Sequence, residues 1–331
     1  MIRFVYVESE VLDHPRVTSI LSRLPKAEVI EIDRFQEVFN RRAQSFRLQK
    51  SQPTLILARK HEGFVLPTPE GYGIGGARNF YFSHMMNCLY DCRYCFLQGM
   101  YRSAHLVVFV NFEDYIDEIE ATAAQSTTEP SWFFSGYDCD SLAFDGVTAF
   151  ADAFLPALER IPRAHLELRT KSVQVGGLLR RDPHGRCVVA YSLSPESTAV
   201  ELEHGAPSLA RRLEALSRVQ EHGWPIGLRF DPLVFTPDAL DRYRGLFEQV
   251  ADAIDVERVH SVSLGLFRLP QSFYRQLVRQ YPEEELLARP MQTENGMTSY
   301  RDDLANELRD GCESQLLEVF SKDVYFPCLS S

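Results

Sequence analysis

The sequence contains no long apolar segment, no excess of basic residues and no regular cysteine framework. Without a run of about 18 or more apolar residues, no membrane-spanning helix is predicted. The first residues resemble a strand more than a charged and apolar leader with a cleavage site, so no secretory signal is expected. These absences together predict a cytoplasmic protein with no membrane partner.

The charge balance is acidic, with a formal net charge of −11 over 331 residues. An acidic protein can bind nucleic acid only through a local basic patch. Two basic runs are candidates for such a patch: Arg41, Arg42, Arg47 and Lys50, and then Arg180, Arg181 and Arg186. Ordinary solvated faces are the simpler interpretation of both runs.

The seven cysteines are an odd number and show no regular spacing. In a reducing cytoplasm they are better explained as metal ligands, reactive thiols or small core residues than as disulfides. Three of them, Cys88, Cys92 and Cys95, lie in one short segment. A loop of that length suits three corners of an iron–sulfur cube, and three ligands for four irons leave one iron open to a small molecule.

Other metal sites are compatible with the same three thiols. A zinc site requires four ligands, so His84 or a distant cysteine would have to complete it. A cluster that only transfers electrons would usually have a fourth cysteine. An iron–sulfur or zinc-binding module without further chemistry therefore stays open as an alternative.

Short apolar strands alternate with helices along most of the chain. Strands are predicted at 2–8, 27–32, 54–59, 106–110, 132–136, 165–170, 188–193, 225–230 and 259–267. Helices are predicted near 17–24, 111–124, 146–160, 207–222 and 237–252. This alternation is typical of βαβ units, and five or six repeats fit a barrel or partial barrel with its chemistry at the C-terminal ends of the strands.

A stretch rich in glycine and proline at 67–79 interrupts this alternation and predicts a domain boundary. The predicted units are an N-terminal α/β unit at 1–75, the barrel at 76–270 and a helical and irregular extension at 271–331.

The spacing CxxxCxxC, with the aromatic Tyr94 just before the last cysteine, resembles the signature of the radical S-adenosylmethionine (SAM) superfamily. The resemblance implies a partial (β/α)6 TIM-like barrel and a 4Fe–4S cluster on Cys88, Cys92 and Cys95. It implies that SAM binds the open iron and yields a 5′-deoxyadenosyl radical that takes hydrogen from a substrate. An electron donor such as flavodoxin or ferredoxin would be the partner.

Most of the chain also resembles one family of DNA-repair enzymes within that superfamily. The segments VYVESEVLDHPR, CFLQG and PSLARRLEALSRVQEHGWPIGLRFDPLVF carry a resemblance to the spore photoproduct lyase family over about residues 2 to 270. Members of this family reverse a thymine–thymine crosslink in DNA. The resemblance therefore implies a lyase that acts on a thymine-dimer type lesion or a related nucleobase, with a substrate outside DNA as the alternative.

The family resemblance also implies which side chains bind SAM. Lys171 matches a lysine placed near SAM at a strand end, where a cation suits the SAM carboxylate. Ser192 matches a strand-end serine that contacts SAM. Asp140 matches an acidic residue after the WFFSG strand and is the third predicted cofactor contact.

The hydrogen donor departs from the family pattern. Tyr137 stands where members carry the donor cysteine, and Cys139 follows two residues later. In an extended chain, residues two apart point to the same side, so either Tyr137 or Cys139 is predicted to return the hydrogen, with Tyr94 as a further catalytic candidate. Packing of Cys139 in the core is the alternative. Phe96 stands where members often carry a second tyrosine.

Overall fold

The structure is a computed structural model that describes residues 2–328. In chain order, its strands are β1 (Phe4–Glu8), β2 (Glu28–Ile32), β3 (Leu55–Ala58), β4 (Leu66–Pro67), β5 (Arg78–Phe82), β6 (Met85–Met86), β7 (Asp91–Cys92), β8 (Leu106–Phe109), β9 (Ser131–Ser135), β10 (Ala164–Thr170), β11 (Cys187–Ser192), β12 (Glu203–His204), β13 (Ile226–Leu233), β14 (Val259–Leu266), β15 (Arg268–Pro270), β16 (Met291–Glu294) and β17 (Met297–Tyr300).

The helices are α1 (Pro15–Ser22), α2 (Phe46–Lys50), α3 (Leu97–Met100), α4 (Phe112–Ala124), α5 (Asp145–Thr148), α6 (Phe150–Arg160), α7 (Gly176–Leu179), α8 (Glu196–Leu202), α9 (Leu209–His222), α10 (Ala239–Ala253), α11 (Gln271–Gln280) and α12 (Asp302–Leu317). The predicted helix at 146–160 is divided between α5 and α6 because Ala149 adopts a left-handed conformation, with φ at 52°.

Six strands in sequential order form the barrel. β5, β9, β10, β11, β13 and β14 pair as neighbours, and every one of these pairs is parallel. A parallel pair requires a crossover connection, which α6, α9 and α10 supply in the later repeats. This arrangement confirms the predicted partial (β/α)6 barrel and brings the C-terminal ends of its strands to one edge.

The local sequence explains why these elements form. Every residue of β11 is buried, because the barrel interior covers one face of the strand and helices cover the other. In α9, the Ser208 side chain accepts a hydrogen bond from the Arg211 backbone, and Gly223 ends the helix with φ at 108°.

A second sheet lies beside the barrel and uses strands from both sides of the predicted boundary. Its order is β2-β1-β3-β8-β6, with parallel pairs except for the antiparallel β6. The boundary at residue 75 therefore does not separate the two sheets, because β8 pairs with β3. The stretch at 67–79 also contains the start of β5, which the analysis of the sequence missed. The division into three units stays a prediction.

The C-terminal region contains a small antiparallel sheet with the order β15-β17-β16. Asn295 and Gly296 connect β16 to β17, both with positive φ, as a tight hairpin turn requires. The prediction of an irregular stretch at this point is therefore wrong.

The last described residues run alongside β14. Tyr325 forms a parallel bridge with Val262, and the Cys328 backbone donates to the Leu264 carbonyl at 3.0 Å. The Phe326 ring packs against Gly75, which precedes β5. The tail thus fills the seam between the last and the first barrel strands. Within residues 2–328, none of the helices is long and apolar enough to cross a membrane.

Candidate active site

The residues singled out in the sequence lie together at the C-terminal edge of the barrel. The cysteine loop follows β5, and Tyr137 to Asp140 follow β9. Lys171 comes directly after β10, and Ser192 is the last residue of β11. Chemistry in such barrels occurs at this edge, so the position agrees with the expectation from the alternating pattern.

Contacts within the protein hold the cysteine loop in shape. β7 in the loop pairs with β12, so that Cys92 lies opposite Glu203, and the Arg93 backbone donates to the Leu202 carbonyl at 2.8 Å. Asn87 takes a left-handed conformation just before the first cysteine, and its side chain donates to the carbonyls of Ser103 and His105, each at 2.8 Å.

Two further side chains anchor individual cysteines of the loop. Lys50 Nζ donates to the Cys88 carbonyl and Gln98 Nε2 donates to the Cys92 carbonyl, both at 2.6 Å.

The three thiols of the loop are free and only partly accessible, with Cys92 buried and Cys88 and Cys95 half-buried. Burial raises the pKa of all three, to about 12 for Cys88, while the Lys50 and Lys171 cations oppose the increase. A bound metal would supply the positive charge that thiolates need in such surroundings.

The three thiols are soft ligands of the kind that an iron–sulfur cluster takes. Among residues 2–328, no three His, Cys, Asp or Glu side chains converge on a site for one metal ion. An iron–sulfur cube places each thiolate on a different iron, so it needs wider spacing than a single ion does. The histidine of the zinc alternative, His84, stacks on Phe150 at 3.8 Å between ring centroids. Burial lowers its pKa to about 3.

Lys171 lies beside the cluster loop in a network that the sequence analysis did not identify. Its ammonium lies 4.0 Å from Glu203 Oε1 and 5.6 Å from the centroid of the Tyr94 ring. The same carboxylate accepts hydrogen bonds from the Tyr94 hydroxyl, the Arg212 guanidinium and the Ser194 hydroxyl. Burial acts to raise the pKa of Glu203, but the Lys171 and Arg212 cations outweigh it and the pKa is lowered.

Asp140 is occupied by contacts within the protein. Its carboxylate accepts from the backbones of Leu142, Ala143 and Lys171 at 2.6–3.0 Å, and from the Thr170 hydroxyl at 2.6 Å. These bonds fix the end of β10, where Lys171 begins. The geometry gives Asp140 a role in holding this strand end, and its predicted contact with SAM stays untested.

Ser192 lies within the same network at the end of β11. The residue is buried, and its carbonyl accepts from Arg212 Nη1 at 3.3 Å. The strand end that carries Ser192 is thereby joined to the guanidinium that binds Glu203. Contact with SAM stays a prediction for Ser192 and for Lys171.

The two candidate hydrogen donors have different surroundings. Tyr137 is half-buried, stacks on Tyr81 at 4.4 Å and lies 5.6 Å from Phe96, between ring centroids. Cys139 is buried in the apolar core of the second sheet, together with Met85. The assumption of an extended chain was wrong, because Gly136 has a φ of 87° and residues 137–139 bend.

Another cysteine, which was not predicted as a site residue, lies near the C-terminal end of β14. Cys328 is half-buried on the C-terminal tail, and Arg268 Nη2 contacts its sulfur at 3.7 Å. Cys328 reaches this position because the C-terminal tail pairs with β14, and no local pattern in the sequence predicts that pairing.

The basic runs are largely engaged within the chain. Arg47 pairs with Glu283, and Arg180 and Arg181 both pair with Asp152. The Arg186 guanidinium donates to backbone carbonyls at residues 159 and 161. Arg47 and the second run are thus engaged within the chain, while Lys50 of the first run anchors the cysteine loop.

A six-stranded partial barrel that carries a CxxxCxxC loop at its C-terminal edge defines a radical SAM enzyme. A family model described as spore photoproduct lyase matches residues 1–323. The chain belongs to the spore photoproduct lyase family.

Individual relatives agree over nearly the whole chain. A curated spore photoproduct lyase from Bacillus subtilis (strain 168) is 23% identical over 343 residues, covering 98% of this chain and 96% of the relative. Another from Geobacillus sp. (strain Y412MC61) is 22% identical over 244 residues, covering 70% of this chain and 71% of the relative.

Solved structures share the fold. A spore photoproduct lyase mutant with bound AdoMet and dinucleoside spore photoproduct has a TM-score of 0.86 at 19% identity, covering 100% of this chain and 99% of that one. Spore photoproduct lyase complexed with dinucleoside spore photoproduct has a TM-score of 0.83 at 20% identity, with the same coverage. At these identities the likeness supports the fold alone.

Proposed function

We propose that this chain repairs the spore photoproduct, a crosslink between two thymines, by radical SAM chemistry. The observation that carries the proposal is the group of three free thiols at the C-terminal edge of the barrel with the Lys171 cation beside them. The curated relatives are named for this activity, and solved structures of the same fold hold the dinucleoside lesion.

Cys88, Cys92 and Cys95 would hold a 4Fe–4S cluster, since soft thiolates are its usual ligands. When bound, the cluster and SAM supply the 5′-deoxyadenosyl radical that takes hydrogen from the lesion. Lys171 carries its charge in a buried site, where a SAM carboxylate would find a strong partner. Ser192 would complete the cofactor contacts at the next strand end.

We assign the return of hydrogen to Tyr137 in preference to Cys139. The Tyr137 O–H bond would break as the C–H bond of the product forms, and the phenoxyl radical left behind would take one electron from the redox partner and one proton from solvent. The phenol of Tyr137 stands among aromatic rings at the edge of the barrel, next to Phe96, which follows the last cluster cysteine. The Cys139 thiol instead packs in the core of the neighbouring sheet. A phenolic O–H, like a thiol S–H, exchanges with solvent, so the hydrogen that it returns carries a solvent label.

Turnover of a dinucleoside lesion tests the proposed function. The protein would be reconstituted anaerobically, reduced, and incubated with SAM and dinucleoside spore photoproduct. The expected result is recovery of the thymine dinucleoside together with 5′-deoxyadenosine, both measured by chromatography. Cleavage of SAM without repair would favour a substrate outside DNA, and one tightly bound zinc without iron would favour a metal-binding module without SAM chemistry.

The donor assignment is tested in deuterated water with three variants. Tyr137→Phe is expected to lose most of the repaired product and its deuterium, and to accumulate by-products while SAM cleavage continues. Cys139→Ser and Cys328→Ser are expected to retain both product and label, which mass spectrometry would measure. If Cys139→Ser loses the deuterium label while Tyr137→Phe retains both product and label, the assignment would be reversed.

Two predictions from the sequence accompany this proposal. The electron donor is proposed to be a small redox protein such as flavodoxin or ferredoxin, because the cluster must be reduced before SAM is cleaved. The cytoplasm is the proposed location, because three thiolate ligands require a reducing compartment.

A further inference from the structure

We infer that Glu203 is a positioning residue that holds the Lys171 ammonium and the Tyr94 side chain in place for SAM at the cluster. The inference rests on the proposed function, because it assumes that SAM binds beside Lys171. It concerns a side chain that neither the cysteine motif nor the family resemblance indicated.

The Glu203 carboxylate is the meeting point of four separate segments. Tyr94 belongs to the cysteine loop, and Lys171 follows β10. Ser194 follows β11, and Arg212 lies on α9. The carboxylate is fully shielded from solvent, so its contacts with these side chains are not weakened by water.

The backbone of Glu203 adds a connection to the cluster ligands. Glu203 pairs with Cys92 across the short ladder between β12 and β7. A single residue therefore joins the loop that carries the thiols to the strand end that carries the SAM-binding cation. Displacement of Glu203 would move both halves of the cofactor site relative to each other.

The two cations around Glu203 are not equivalent. Arg212 has only 1% of its side chain exposed, and it also donates to the carbonyls of Pro207 and Ser192. Lys171 has 13% of its side chain exposed and stays at 4.0 Å from the carboxylate. Arg212 is therefore the fixed partner, and Lys171 keeps donor capacity for the carboxylate of a ligand.

The charge of Glu203 also keeps the two cations together. Without the carboxylate, the positive charges of Lys171 and Arg212 would repel each other in a site of low dielectric constant. Lys171, which is the more exposed and the less constrained of the two, would turn away from the cluster. Loss of the carboxylate is thus expected to weaken SAM binding through Lys171, without removal of any metal ligand.

SAM affinity of the reconstituted, cluster-containing protein tests the inference. Glu203→Gln is expected to weaken SAM binding by about 10- to 100-fold, by analogy with the loss of metal affinity when residues that orient metal ligands are replaced. The dissociation constant would be measured from the change that SAM causes in the electron paramagnetic resonance spectrum of the reduced cluster. Iron content should equal that of the unaltered protein, because all three cysteines remain.

A double-variant cycle separates positioning from general destabilisation. If Glu203 acts through Lys171, then Glu203→Gln combined with Lys171→Met should bind SAM about as weakly as Lys171→Met alone. If the two losses multiply, Glu203 does not act through Lys171 and the inference is overturned. SAM affinity of Glu203→Gln within about twofold of the unaltered protein would overturn it as well.

A milder variant covers the case in which Glu203→Gln does not fold. Tyr94→Phe removes only the hydroxyl that donates to Glu203, and it should weaken SAM binding while iron content is kept. Tyr243→Phe is the matched control, because the Tyr243 hydroxyl is also buried and bonded but accepts from the Val234 backbone at 2.8 Å. Equal SAM affinity in Tyr94→Phe and Tyr243→Phe would contradict the inference.

Glu167→Gln serves as the control for charge. Glu167 is likewise a fully buried carboxylate between two guanidiniums, but it lies in the barrel interior. The substitution Glu167→Gln should reduce thermal stability without a change in SAM affinity. If the unaltered protein itself binds no SAM, the proposed function fails together with the inference. If it binds SAM but the losses in Glu203→Gln and Lys171→Met multiply, only the inference fails.

Discussion

Cys92→Ala is expected to abolish cluster assembly and SAM cleavage while the protein stays folded. Cys92 is the buried member of the three free thiols. Its backbone lies in the ladder with Glu203, and its carbonyl accepts from Gln98. Alanine retains these backbone contacts, so the loop keeps its shape and only the sulfur is lost. With only two cysteine ligands left, the cluster lacks its third protein ligand and should not be retained.

The measurement for Cys92→Ala is iron and sulfide per chain after anaerobic reconstitution, followed by chromatography of 5′-deoxyadenosine. The unaltered protein should contain about four irons per chain, as expected for a 4Fe–4S cluster. Cys312→Ala is the matched control, because Cys312 is fully buried on α12, outside the loop. Cysteine ligation by this loop would be refuted by a Cys92→Ala protein with full iron content and normal SAM cleavage.

Arg229→Met is expected to destabilise the barrel by about 3–5 kcal/mol, because it leaves a buried carboxylate without its main partner. Arg229 and Glu167 are fully shielded from solvent inside the barrel, with Nη2 of the guanidinium 2.6 Å from Oε2 of the carboxylate. The guanidinium also donates to the hydroxyl and carbonyl of Ser261 at 2.8 and 3.1 Å. After the substitution, Glu167 keeps only the contact with Arg169 at 3.2 Å.

Urea unfolding of the cluster-free protein would measure the free energy lost in Arg229→Met. The double variant Glu167→Gln with Arg229→Met should recover part of the loss, because it removes the unpaired charge. Arg301→Met provides the comparison at the surface, where the pair with Asp303 is more than half exposed and should contribute about 0–1 kcal/mol. A loss in Arg229→Met as small as that in Arg301→Met would show that the interior pair does not stabilise the barrel.

The regular part of the fold is predictable because it is encoded locally. Strands and helices of the barrel show their apolar periodicity within short windows, so β9, β10, β11, β13 and β14 lie close to the predicted positions. β5 was missed because it begins directly after a stretch rich in glycine and proline, which the sequence analysis assigned to a turn. β8 was predicted as a strand, but it pairs with β3 in the second sheet and not with the barrel strands. The choice of partner strand is not a local property of the sequence.

The candidate site divides in the same way. The three cysteines were predicted because their spacing is local, and Lys171 and Ser192 because the family resemblance extends to their segments. Glu203 was not predicted as a site residue, because its partner Tyr94 is 109 residues away in the sequence. The different surroundings of Tyr137 and Cys139 were not predicted, because the positive φ of Gly136 turns the chain at the end of β9.

The ladder between β7 and β12 bears on the order in which the cofactor site is assembled. The two sides of the ladder are distant in the chain, so we expect it to form only when the strands between β7 and β12 have docked. Small metallo-domains fold around their ion, but this loop takes its shape from the barrel. If the loop holds the proposed cluster, we expect iron and sulfide to bind a scaffold that is already folded, and a protein that has lost the cluster to be reloaded without refolding.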